Sequence, residues 1–183
     1  MLKKLLIKTT IISVLFLLNL SIANAKCKFI TDIGKKYTKA IEKNFGALPE
    51  NENGYIELEI VASEFCPNDN FDDNFLIRYT FIDKTLAAIQ LFADNSIDNS
   101  ATESMKLMKY AKRAYGDFDT GGNPEFYNNF NIWEKVQKYI VYSRRLIGKV
   151  WEEEIYISSD KYYEQLVQYE NEKELIQPVE DEN

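Results

Sequence analysis

A chain of 183 residues with 45% hydrophobic and 14% aromatic side chains carries enough apolar material for a packed core, which excludes a wholly disordered protein. It has no histidine, and this excludes His-dependent triads and dyads, HExxH zinc sites and imidazole acid–base catalysis. A formal charge of −7 argues against nucleic acid as a partner.

Residues 1–25 read as a cleavable signal peptide. Lys3, Lys4 and Lys8 form a basic start, an apolar run follows from Ile11 to Leu20, and Ala23-Asn24-Ala25 supplies an A-x-A cleavage site. An apolar core of about ten residues is short of the roughly 20 that span a bilayer, so no transmembrane anchor is expected after cleavage. Lys26 before Cys27 disfavours a lipid attachment signal, where a small residue is wanted. The short Lys-led leader is of bacterial type and addresses the protein to the periplasm or the extracellular space.

Downstream, Ile30, Ile33, Tyr37, Ile41 and Phe45 recur at helical spacing. They predict a first helix capped at Thr31 or Asp32 and stopped at Gly46. The alternating stretch 55–62 predicts a half-buried strand, with Ile56, Leu58 and Ile60 on one side and Glu57 and Glu59 on the other. The run 75–82 predicts a second strand, and 85–93 a third after a turn at Asp83-Lys84, although its alanines also permit a helix. Ser100 to Glu103 form a capping box for a helix ending at Gly116. An Asp-, Gly- and Asn-rich loop precedes three further strands, with Arg144-Arg145 to Gly148 as the last turn. Ser158-Ser159-Asp160 caps a final helix bearing Tyr163, Leu166 and Val167.

The expected fold class is α+β, with antiparallel sheet and helices on one face, possibly as tandem α-β-β-β units plus a C-terminal helix. A single domain over 26–176 is expected, divisible into halves 26–99 and 100–176, followed by an acidic disordered tail over 177–183. The segments 36–46 and 106–116 echo one another at an offset of 70 residues, each with spaced basic residues and a final aromatic-Gly. Tandem units of this kind occur in some exported inhibitor and envelope-assembly proteins, an analogy of layout without a shared motif.

Cys27 and Cys66 are the only cysteines. In an oxidising compartment an even pair predicts a disulfide, and the absence of C-x-x-C argues against a redox role. Removal of the leader leaves 19 basic against 29 acidic side chains, a balance of −10. The charge is blocked. Residues 26–46 sum to +4, 47–99 to −9, 100–149 to +4 and 150–183 to −9. The two basic blocks suggest a partner-binding face carrying Lys36, Lys39 and Lys43 on the first helix and Lys106, Lys109 and Arg113 on the second.

Candidates for chemistry are few. Ser158-x-x-Lys161 matches the S-x-x-K pattern of serine acyl-transferases without its companion elements. Glu152, Glu153 and Glu154 contain a same-face pair, Glu152 and Glu154, of the kind glycoside cleavage needs. Asp117, Asp119 and Asn123 have the alternating oxygens and following Gly of a calcium loop, but Gly121 and Asn128 depart from its pattern. No other cofactor is expected, and no catalytic residue is assigned. The reading favours an exported, non-enzymatic protein-binding domain, an inhibitor or an envelope assembly factor. A small-molecule or lipid carrier is the alternative, and a carboxylate-dependent hydrolase the second.

Overall fold

Strict alternation at Tyr55–Val61 forms β1, and a two-residue Asp83-Lys84 turn, both residues with positive φ, joins β2 (Phe75–Ile82) to β3 (Thr85–Ala93). The computed structural model describes residues 26–47, 49, 54–94, 100–117, 129–135 and 137–176. The segments expected to be a signal peptide (1–25) and an acidic disordered tail (177–183), and most of the Asp/Gly/Asn-rich stretch, lie outside these residues. Further strands are β4 (Asn129–Lys135), β5 (Lys138–Ile147) and β6 (Val150–Ser158). All pairings are antiparallel, and the six-stranded sheet has the order β1-β2-β3-β6-β5-β4. Two meanders therefore meet at a central β3–β6 seam. The ambiguous run 85–93 is a strand because it lies inside the sheet, where side chains on both faces are covered and short alanines fit beneath a helix.

Helices are α1 (Lys39–Phe45), a single turn α2 (Ser100–Glu103), α3 (Lys106–Tyr115) and α4 (Tyr163–Ile176). Alternate strand positions feed separate clusters, except in β3, where the pairing shifts so that Thr80 faces Ala88 and Phe81 faces Leu86, and Ala87 and Ala88 fall in one cluster. Ile56, Leu58, Ile77, Tyr79, Phe81, Ile89, Leu91, Ile155 and Ile157 pack with Ile41 of α1 and with Leu107, Met108, Tyr110 and Ala111 of α3. Tyr55, Ile82, Ala87 and Ala88 point the other way and meet Tyr162, Leu166 and Tyr169. The expected one-sided helix layer thus describes α1 and α3, whereas α4 covers part of the opposite face. Tyr55 and Tyr169 stack there with ring centroids 4.3 Å apart.

Four local expectations need correction. The first helix starts at Lys39, capped by Thr38, and not near Thr31. Gly34 has φ +83°, and residues 34–37 hydrogen-bond with Lys84 and Leu86, so the strand edge takes the backbone groups a helix would use. The helix expected from Ser100 is broken at Met105, which adopts a left-handed φ of 50°. Arg144 and Arg145 are strand residues, and the turn after β5 is Gly148-Lys149 alone. Gly148 at φ +62° occupies the first central position of that turn, where glycine avoids the Cβ penalty. The inward stripe runs from Tyr162, in the 3-10 turn just before α4, through Leu166 and Tyr169 of α4, leaving Tyr163 and Val167 exposed.

Cys27 and Cys66 form the disulfide, with Cα atoms 4.3 Å apart. It ties the start of the described chain to the turn after β1, where Lys28 N–H also donates to Phe65 C=O. The bridge is compatible with an oxidising, exported location. Among the described residues no helix is long and apolar enough to cross a membrane.

Candidate functional site

The basic residues of the two helices divide by what they touch. Lys106 Nζ lies 2.7 Å from Asp72 Oδ2, and that contact holds the Asp72 carboxyl below its usual range. Arg113 pairs with Asp69 in the same 66–74 turn. Lys109 Nζ donates to Ser104 C=O, and Lys36 Nζ to Asp83 C=O at 3.4 Å. Lys39 and Lys43 are exposed on α1. Acidic residues between β1 and β2 thereby anchor α3 by its cationic side chains, a use of the alternating charge blocks that sequence position alone does not reveal.

The three consecutive glutamates have three different environments. Glu152 is exposed and pairs with Arg145 across the strands at 2.9 Å. Glu154 accepts from Ser143 Oγ at 3.1 Å and from Gln90 Nε2. Gln90 in turn accepts from Arg78, whose guanidinium grips Glu59 at 3.0 Å. A hydrogen-bonded chain of Glu59, Arg78, Gln90, Glu154 and Ser143 therefore crosses five strands on the face not covered by α3. Both members of the same-face carboxylate pair are engaged in cross-strand contacts.

Glu153 points the other way and is 1% exposed. Its Oε1 accepts from Tyr142 Oη at 2.8 Å and from Met108 N–H, in the first turn of α3, at 3.3 Å. A sheet residue thus satisfies an open amide of a helix whose own cap, Met105, offers no side-chain acceptor. Among the described residues Glu153 Oε2 has no hydrogen-bond partner. Burial raises the carboxyl to about 7, against the lowering effect of its two donors and of Arg144 and Lys109. Near-neutral carboxyls are candidates for acid–base work. This one is closed off from solvent and holds a helix.

The parity of the strand carries the signal for Glu153, because residues 153, 155 and 157 share a face and Ile155 and Ile157 are core. Sequence reading treated Glu153 as the glutamate facing away from the carboxylate pair and missed its buried role. Arg144, directly opposite Glu153, is also buried and stacks on Trp151 with 3.8 Å to the ring centroid.

Among the described residues, the pairing of β5 with β6 runs further than that of β6 with β3 or of β5 with β4. It runs to Ile147↔Val150, whereas β3 pairs with β6 only as far as Phe92↔Glu154, and β4 with β5 only to Asn129↔Arg144. At its end Ile147 is 52% and Val150 45% exposed. Where β3 ends beside this ribbon, a half-open groove of about 410 Å³ is lined by Phe92, Asp94, Arg145, Trp151, Glu152 and Glu154.

Ser158 is fully buried and donates from Oγ to Ala87 C=O at 2.7 Å, a bond that ties β6 to β3. Asp117 is exposed just beyond α3, whereas Asp119 and Asn123 lie outside the described residues. Among the described residues no cluster of three or more His, Cys, Asp or Glu side chains is placed to hold a metal ion. Comparison with protein-family models, with curated proteins and with solved structures found no match.

Proposed function

We propose that this protein is an exported, non-enzymatic protein-binding domain, acting as an inhibitor or assembly factor, and that the β5–β6 ribbon end is its docking element. The exposed Ile147–Val150 pair carries this reading. Two β-branched aliphatic side chains side by side at the β5–β6 turn leave apolar area in water, and a partner surface is one way to cover it. Each of the surface glutamates weighed for catalysis is engaged elsewhere, which favours binding over hydrolysis.

The two halves fit a tandem reading as well. Each places a helix ending in aromatic-Gly before three antiparallel strands, and Gly46 and Gly116 have φ of +81° and +87°. The basic side chains Lys39 and Lys43 on α1 remain a second candidate contact.

A photoreactive amino acid placed at Ile147 in the exporting cell tests the docking element. A defined adduct is expected from position 147, and none from Lys84 at the far turn. Absence of any adduct from position 147 would overturn the reading.

A further inference from the structure

We infer that the pocket beside the disulfide binds a single-chain amphiphile with an anionic head, a carboxylate or a phosphate. It lies where β5 starts and β6 ends, remote from the β5–β6 turn, and does not rest on the docking role proposed there.

The floor follows from where the central seam stops. β3 pairs with β6 only as far as Ile89↔Ile157, and Ile140 of β5 stands across from Ile157. Three isoleucines from three adjacent strands therefore form one row, and all three line a cavity of about 320 Å³. Past that rung the edge of β3 is taken by another segment. Gly34 N–H donates to Leu86 C=O and Leu86 N–H to Lys35 C=O, so the β6 ladder does not continue there.

Residues 26–29 form a second wall, and the fold pins them. The Cys27–Cys66 bridge holds one point, Cys27 N–H donates to Tyr110 Oη at 3.2 Å, and Ile30 N–H donates to Tyr79 Oη at 3.3 Å. Phe29, Ile33 and Tyr115 complete the apolar lining. A cavity fixed before binding costs little ordering entropy to fill. The isoleucine row crosses two inter-strand spacings, roughly 10 Å, which is the length of a medium alkyl chain and exceeds the reach of an apolar side chain. Two chains of a phospholipid do not fit this volume.

The rim selects the sign of the head. Lys26, Lys28 and Lys138 line it against one acid, Asp32. Lys26 Nζ sits 5.4 Å from the Tyr115 ring centroid, a contact that leaves its charge unneutralised. Lys28 and Lys138 make no ion pair among the described residues. The β4–β5 ladder places no acid across from Lys138 either, because that position is Lys135. An anionic head at this mouth gains two unspent ammonium groups beside an apolar wall, and a cationic head meets like charge.

The test uses the disulfide-bonded protein from the exporting cell, titrated with monomeric amphiphiles and read by backbone amide shifts. Decanoate and decyl phosphate are expected to move the amides of Cys27, Phe29, Ile89, Tyr115 and Ile140 saturably, and the stronger of the two names the head. Acetate is expected to move none of them. Each two-methylene step from hexanoate to decanoate is expected to tighten binding about tenfold, as buried chain is added. Lys28→Gln with Lys138→Gln is expected to weaken decanoate about fivefold, the loss of two charge contacts at an open rim. Lys39→Gln with Lys43→Gln, the same charge change on α1, is expected to leave binding unaltered.

Equal binding of decyltrimethylammonium or decyl maltoside at these amides overturns the assignment of an anionic head. Absence of saturable shifts with every decyl compound overturns the site. Shifts seen with phosphatidylglycerol vesicles but with no monomer assign these lysines to a membrane surface and overturn it too. None of these results bears on the adduct expected from position 147.

Discussion

Glu153 is the residue on which pH should act most directly. Its carboxyl rises from an ordinary value of 4.5 to about 7 in the fold, because burial penalises the charged form. A raised carboxyl means that the native state holds its proton longer than the unfolded chain. Its contribution is therefore fully present below about pH 4.5 and is lost as pH climbs through about 7. The shift corresponds to about 3 kcal/mol. Urea unfolding at both ends of that window should show wild type losing about that much more stability than Glu153→Gln, which has nothing to titrate. Parallel pH profiles for the two proteins would sink the assignment. Ser158 offers a second test at this scale. Its buried Oγ donates to Ala87 C=O, so Ser158→Ala should cost about 1–3 kcal/mol in urea unfolding.

At the scale of elements, α3 depends on others for its placement. Its first turn is met by Glu153, its flank by Asp72 and Asp69, and its apolar side by the sheet. The disulfide acts on the same region, because Cys27 N–H donates to Tyr110 Oη of α3. The bridge spans 39 residues, for which the chain-entropy estimate is about 4 kcal/mol. Cys27→Ala with Cys66→Ala should lower stability by up to about that amount, checked by denaturant midpoint. Amide exchange should rise first in residues 27–30 and around Tyr110. The ribbon turn behaves differently. Gly148→Ala has open space around the new Cβ but must hold φ +62°, so a loss of about 1 kcal/mol is expected with little change at the core.

Across the whole molecule, the two meanders are less independent than their order suggests. Tyr110 in the second half receives Cys27 from the first, Tyr55 in the first stacks on Tyr169 in the second, and the β3–β6 seam lies between them. Each half alone would expose the apolar residues that face the other. Residues 26–99 expressed alone should therefore lack dispersed amide signals and cooperative unfolding. A cooperatively folded 26–99 fragment would show that the halves are separate domains after all.

Much of the fold was legible because periodicity is a local property. Alternation marked β1, the residues flanking Asp83-Lys84 marked a hairpin, and two cysteines in a chain expected to be exported marked the bridge. What local pattern could not decide was competition for backbone groups. The stripe from Ile30 to Phe45 had helical spacing throughout, yet residues 34–37 spend their hydrogen bonds on β3, and only Lys39–Phe45 coils. Side-chain partners were equally hidden. Nothing in the run Glu152-Glu153-Glu154 distinguishes the three carboxyls except parity, and parity acquires meaning only when α3 settles on one face of the sheet. The amino-acid sequence by itself determined the α+β class, the disulfide and the signs of the charge blocks, since these follow from residue type and spacing. Tertiary structure alone decided which lysines meet acids, which glutamate is buried, and that Ile147 and Val150 stand about half exposed beside the β5–β6 turn, because each depends on which side chains the fold brings together.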